Sequence, residues 1–177
     1  MSRAARQAEF PARFQLIAAM NPCPCGYLGD TTGKCRCTVE QVQRYRARIS
    51  GPLLDRLDLH VEVPRVPAED LRAEHLATES STSVAARVNS ARELQLMRQG
   101  KANARLNNVE VDRHCAPDGQ GRVILERAMQ RFALSARAYH RILKVARSIA
   151  DLDGAGNVCV AHVSEAIGLR RLDRGAK

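Results

Sequence analysis

The stretch FQLIAAMNPCPCGYLGDTTGKCRCTVEQVQRYRARISGPLLDRLDLHVEVP, Phe14 to Pro64, decides how the rest of the chain is read. It runs from an apolar segment through a cysteine-bearing loop and a basic helix to a Gly-Pro break and an alternating segment. Phe14 to Met20 is short and almost wholly apolar, which predicts a strand covered on both faces. Asn21 and Pro22 end it, because proline has no N–H to give a ladder. Further on, Leu57, Leu59, Val61 and Val63 alternate with Asp58, His60 and Glu62, the period of a second strand. Two strands joined through a helix predict a βαβ unit, and so a piece of parallel sheet.

Polar residues fall at the strand ends. Asn21 sits where the first strand would finish, the place where open α/β sheets hold ligands. Taken alone, it reads first as the cap of a turn before a proline. Arg56 stands just before the second strand.

The 177 residues carry a net charge of +9, with 45% hydrophobic and 3% aromatic content and no tryptophan. Such a chain can bury a core, and its charge favours an anionic partner such as nucleic acid or nucleotide phosphate. The few aromatics argue against a module that stacks single-stranded bases. No apolar stretch has the length to span a bilayer, and MSRAARQAEF has no apolar signal core. A cytoplasmic location without a membrane partner is therefore expected.

Six cysteines need an account in a reducing compartment, where close spacing points to metal more often than to disulfides. Cys23 and Cys25 form one C-x-C pair, and Cys35 and Cys37 another. Folded back across Gly26, Gly29 and Gly33, the four thiolates could ligate one tetrahedral Zn2+. C-x-x-C is the commoner spacing, so reduced structural cysteines stay open as the other reading. Cys115 and Cys159 are isolated and read as small buried residues. His114 and His162 have no metal-binding spacing.

The remaining pattern is helical. Residues 1 to 13 form a basic lead-in with Arg3, Arg6 and Arg13. Thr38 predicts an N-cap for a helix reaching about Ile49, and Pro52 starts a short helical turn at Leu53. Residues 1–66 then read as one domain, 67–83 as a linker and 84–177 as a helical domain. Helices are predicted over Thr82 to Arg98, Arg122 to Phe132, Ser135 to Gly154 and Val160 to Arg171, with Lys101 to Gly121 a loop. Their apolar stripes can close as a small bundle. A face bearing Arg137, Arg141 and Lys144 lies opposite the stripe of the third, which by itself is the pattern of a solvated face.

Three motifs, AAMNPCPCG, RYRARISGPLLDRLDLHVEVP and LSARAYHRILKVARSIADL, resemble the C-terminal part of the magnesium-chelatase-like AAA+ ATPases of the ComM type. The resemblance runs from Ser2 to about Arg171. It implies part of an α/β AAA+ core, with two strands, a crossover helix and the cysteine loop, followed by an all-α helical lid. It further implies a homo-oligomeric ring that hydrolyses ATP with Mg2+ and drives branch migration on DNA, in DNA uptake and recombination. By motif, Asn21 corresponds to the sensor 1 asparagine that positions the attacking water. Arg56 corresponds to the arginine finger offered to a neighbouring subunit, and Arg137 to the sensor 2 arginine of the lid. Asn21 and Arg137 would thus touch the nucleotide.

One departure is large. Such an ATPase needs a Gly-rich phosphate loop with Lys and Ser/Thr, and an acidic strand end for magnesium. Gly29-Asp30-Thr31-Thr32-Gly33-Lys34-Cys35 is one residue short and ends in cysteine. The expectation is a chain that does not hydrolyse ATP alone, completed by a Walker-bearing N-terminal half or by neighbouring subunits. The alternative is a stand-alone, zinc-containing, basic nucleic-acid-binding module without ATPase activity.

Overall fold

The structure, a computed structural model, describes residues 2–3, 6–7, 14–30, 33–66 and 79–170. Two compact units divide between Arg48 and Ile49.

In the first unit, β1 (Ser2–Arg3) and β2 (Arg6–Gln7) pair antiparallel, with Ser2 opposite Gln7. The segment 14–20, expected as a covered strand, is irregular chain in no ladder, with Phe14 77% and Ile17 84% exposed. The difference has a plain physical cause. Apolar composition favours a strand, but a strand exists only where a neighbour accepts its backbone hydrogen bonds. Among the described residues none does so for 14–20. Next comes the cysteine loop, and then α1 (Val39–Arg46), which opens with a capping box. The Gln41 N–H donates to Thr38 Oγ1 at 3.3 Å, and the Thr38 N–H donates to Gln41 Oε1 at 2.9 Å. The helix stops short of Ile49 because Ser50 is already extended, capping α2 (Gly51–Leu54) in the second unit.

The expected strand at 57–63 is also replaced. His60 makes a single parallel bridge to Arg170, with its N–H donating to the Leu169 carbonyl at 2.6 Å. His60 is the buried residue there, while Leu59, Val61 and Val63 face outward, so the burial is opposite to what the alternation suggests. The α/β part of the expected fold is therefore absent among the described residues, and the helical part is present.

That helical part consists of α3 (Ser81–Gln99), α4 (Asn108–His114), α5 (Gly119–Phe132), α6 (Ala136–Leu152) and α7 (Val160–Gly168). Residues 67–78 of the expected linker lie outside the described residues. The core joins Val111 of α4, Leu125 and Ala128 of α5, Ile142, Leu143, Ala146 and Ala150 of α6, and Val163 and Ala166 of α7. Burying each large side chain of that set contributes about 1.5–3 kcal/mol.

Local chemistry sets the ends of these helices. Asp118 caps α5 by accepting from the Gly121 N–H at 2.6 Å. Gly121 is glycine for packing, since a Cβ there would lie 3.0 Å from Pro117 Cβ and 3.3 Å from Val163 Cγ2. α4 lies inside the expected loop 101–121. Asn107 and Glu110 form its capping box, and Val111 is fully buried, yet seven residues are too few to display an apolar period. α7 ends at Gly168, short of the expected Arg171.

A buried ion network braces α3 against α6. Arg98 Nη1 and Nη2 donate to the Asp151 carboxylate at 2.6 and 3.0 Å, Asn103 Nδ2 at 2.9 Å and Arg147 Nε at 3.0 Å. Arg147 also donates to the carbonyls of Ala155 at 2.6 Å and Gly156 at 2.8 Å, so its charge stays satisfied inside. Burial pushes the Asp151 carboxyl up. The hydrogen bonds from Arg98 and Asn103 and the charge of Arg147 outweigh it and hold the group below its ordinary range.

Candidate functional site

The candidate residues fall into two groups, one in each unit. In the first unit, the turn after Asn21 folds the chain tightly. The Gly26 N–H donates to the Cys23 carbonyl at 3.0 Å, and the Asp30 N–H to the Tyr27 carbonyl at 3.1 Å. Gly26 at φ 82°, Gly29 at φ 86° and Gly33 at φ 65° adopt the left-handed backbone that other residues rarely enter. These reversals bring Cys23, Cys25, Cys35 and Cys37 together, with all four sulfurs within 4.8 Å of one another. The group could hold a metal ion. Cys23 Sγ lies 3.3 Å from Cys25 Sγ and 3.8 Å from Cys35 Sγ, and Cys25 Sγ lies 3.7 Å from Cys35 Sγ.

The thiols do not share one proton affinity. A backbone hydrogen bond at Tyr27, with those from Cys23 and Cys37, brings Cys25 down to about 6. Its hydrogen bond to Cys25 pushes Cys37 up to about 12. Burial pushes Cys23 up, but backbone hydrogen bonds at Leu28 and Cys25 outweigh it and lower that thiol too, while Cys35 is raised. Two of the four thiols thus take the thiolate form ahead of the other two. A bound cation favours the thiolate at all four.

Asn21 is exposed and lies two residues before Cys23. Its Nδ2 is 3.7 Å from where a Cβ on Gly26 would stand, so the asparagine packs directly on the cysteine turn. The Nε of Arg46, from the last turn of α1, donates to the Pro22 carbonyl at 3.4 Å.

In the second unit the structure brings the segment around Arg56 to the N-terminus of α6. Arg56 is exposed, and its Nη1 donates to the Pro52 carbonyl at 3.1 Å. Asp55, beside it, accepts from Ser135 Oγ at 2.9 Å and lies 3.8 Å from both Arg137 Nη1 and Arg170 Nη2. Asp58 accepts from Arg141 Nη1, one turn along α6 from Arg137. Arg170 Nη1 donates to the Leu57 carbonyl at 2.9 Å. Ser135 thus serves twice, accepting from the Ala138 N–H at 3.1 Å as N-cap and donating to Asp55.

The sequence singled out Arg56 and Arg137 as candidates but not Asp55, which faces Arg137, nor Asp58, which pairs with Arg141. The available signal was the D-R-L-D spacing, with an acid on each side of the arginine. Cys115 is fully buried, as expected, and burial pushes its thiol up to about 11. Cys159 is half-buried at the N-cap of α7, where its N–H donates to His162 Nδ1 at 3.0 Å, so His162 serves as a capping partner.

The family model described as magnesium chelatase, subunit ChlI matches residues 1–71. The model for the ChlI C-terminal region matches residues 78–170, more than half of the chain. Competence protein ComM of Haemophilus influenzae is 45% identical over 98% of the chain, and 34% of its own length is covered. A protein named YifB from Escherichia coli is 44% identical over 98% of the chain and 34% of its own. A Mycobacterium bovis protein is 36% identical over 93% of the chain and 33% of its own. The chain spans about a third of the length of the curated relatives it matches. No helix among the described residues is long and apolar enough to cross a membrane.

Proposed function

The chain belongs to the magnesium chelatase ChlI family, in its ComM-like branch, and from that premise we propose that it is the sensor, finger and lid portion of a DNA-acting AAA+ ATPase. The complete motor would be a ring that hydrolyses ATP with Mg2+ and drives branch migration. The phosphate loop and magnesium-binding acid would come from a part of the assembly outside this sequence.

Phosphoryl transfer leaves little covalent chemistry to the protein, so positioning and positive charge carry the rate. In this reading Asn21 orients the attacking water, and Arg56 reaches the γ-phosphate of a neighbouring subunit. Arg137 meets the nucleotide of its own. Arginine suits both cationic roles because its planar fork makes paired bonds to phosphate oxygens. Magnesium supplies further neutralisation of the phosphate charge when the nucleotide is bound.

The observation that carries the reading is the Asp55 junction. The carboxylate next to Arg56 is bonded to Ser135 and faces Arg137 at 3.8 Å, so the finger segment and the sensor 2 helix are held as one piece. That linkage suits a motor in which the lid's response to its own nucleotide moves the finger presented to the next subunit. The net charge of +9 supports DNA as the polymer acted on. The four-cysteine group is equally compatible with a stand-alone nucleic-acid module, but similarity along 98% of the chain, well beyond the cysteines, favours the motor.

The test is ATP hydrolysis with the phosphate-loop half supplied in trans or in the same chain. Arg56→Ala should lower the rate by about three to five orders of magnitude. Helical content should not change. Hydrolysis that persists unaltered in Arg56→Ala overturns the finger assignment.

A further inference from the structure

The cysteine group allows a step that does not pass through nucleotide chemistry. We propose that Cys23, Cys25, Cys35 and Cys37 hold one structural Zn2+, and that this ion orders the segment carrying Asn21. Four thiolates set tetrahedrally about one zinc at about 2.3 Å have sulfur–sulfur edges of about 3.8 Å. The distances of 3.3, 3.8 and 3.7 Å among Cys23, Cys25 and Cys35 follow that figure, and the remaining sulfur lies within 4.8 Å of each.

The donor set and its compactness select the ion. Four soft thiolates in a tetrahedron suit zinc or iron–sulfur chemistry and not magnesium or calcium, which take oxygen ligands. A multi-iron cluster distributes its cysteines over several metal atoms, and four sulfurs gathered within 4.8 Å leave room for a single ion. With four protein ligands the coordination sphere is closed, as in structural sites, so no position is open for a reacting water. Backbone N–H groups near Tyr27 and Leu28 turn toward Cys25 and Cys23, the outer-shell support that thiolate ligands take.

Apart from the sulfurs, the described part of the loop is held by turn hydrogen bonds and the Arg46–Pro22 contact, without a core beneath them. Among the described residues of 14–48, Cys23 is the one buried residue, so no apolar core stands behind the turns. Asn21 packs on Gly26 inside the reversal that Cys23 and Cys25 close, and Pro22 is tied to Arg46. An ion that fixes the sulfurs therefore fixes the turn that presents Asn21. Removing it releases both, because folding of a metal-nucleated segment is coupled to binding.

The experiment uses the purified chain and reads metal directly. Elemental analysis should find one zinc per chain, and replacement by Co2+ should give the intense sulfur charge-transfer and visible bands of a tetrahedral thiolate site. Cys25→Ser/Cys37→Ser should lose the ion, whereas Cys159→Ser should keep it. Chelation of the unaltered chain should open residues 21–38 to protease while the helical circular dichroism signal stays, which guards against a variant that merely misfolds. Substoichiometric zinc with a Co2+ spectrum lacking sulfur bands overturns the proposal. So does iron in place of zinc, or an ion retained by the double variant. None of these readouts depends on ATP hydrolysis, so failure of the motor reading would leave them intact.

Discussion

Residues 14–48 and 81–170 hold themselves together by different means. The helical segment gathers a core of 14 buried side chains, from Leu106 just ahead of α4 through to α7. The cysteine segment buries one described residue, Cys23, and exposes Phe14, Leu16, Ile17 and Val39. Both carry candidate functional residues, but one positions them by packing and the other by turns and sulfur. Packed helices tolerate single losses in proportion to the atoms removed, whereas a segment ordered by one centre loses its order with that centre.

The largest expected effect within the helical segment comes from its ion network. Asp151→Ala would strand Arg147, whose side chain is 3% exposed, and is expected to cost about 3–5 kcal/mol by urea denaturation. The protease pattern of residues 21–38 should stay as it was. A cost under about 1 kcal/mol would mean that apolar contacts alone hold α3 to α6.

Acid offers a gentler version of the same test. The Asp151 carboxyl is held below its ordinary value of 3.8, so its contribution is complete above that pH and is lost as pH falls through the lower folded value. The stability of the unaltered chain should fall more steeply below pH 3.8 than that of Asp151→Asn. Parallel slopes would remove Asp151 as the source.

The smallest effect belongs to the junction beside Arg56. Ser135→Ala removes the α6 cap together with the hydrogen bond to Asp55, and about 1 kcal/mol of stability should go with it. Arg141→Ala breaks a partly exposed pair with Asp58 and should cost about 0–1 kcal/mol. If the junction couples finger and lid, Ser135→Ala should disturb the dependence of hydrolysis on ATP concentration more than these small stability changes explain.

Much of the helical segment was legible along the chain. Ser135 is a side-chain cap, Gly100 at φ 70° ends α3, and the stripe Ile142, Leu143, Ala146, Ile149 and Ala150 of α6 faces the core, whereas Asp118 caps α5 inside the stretch expected as a loop. Each of these is a local signal, fixed by residues within a turn or two. α4 escaped because a seven-residue helix buries too little to show a period, although Asn107 and Glu110 spell its cap. The expected strands failed for the converse reason, since apolar alternation reports side-chain preference and not the presence of a pairing neighbour.

The candidate sites divide along the same line. The sequence by itself determined the four-cysteine group, because Cys23, Cys25, Cys35 and Cys37 are close in the chain and glycines allow the reversals between them. It determined the motifs bearing Asn21, Arg56 and Arg137 as well. Only the tertiary structure decided that Asp55 would face Arg137 across 80 positions of chain to its neighbour Ser135, and that Asp151 would meet Arg98 from 53 positions away. Charges so separated in sequence meet only when helices pack, and packing is set by the shape of buried side chains that no local period records.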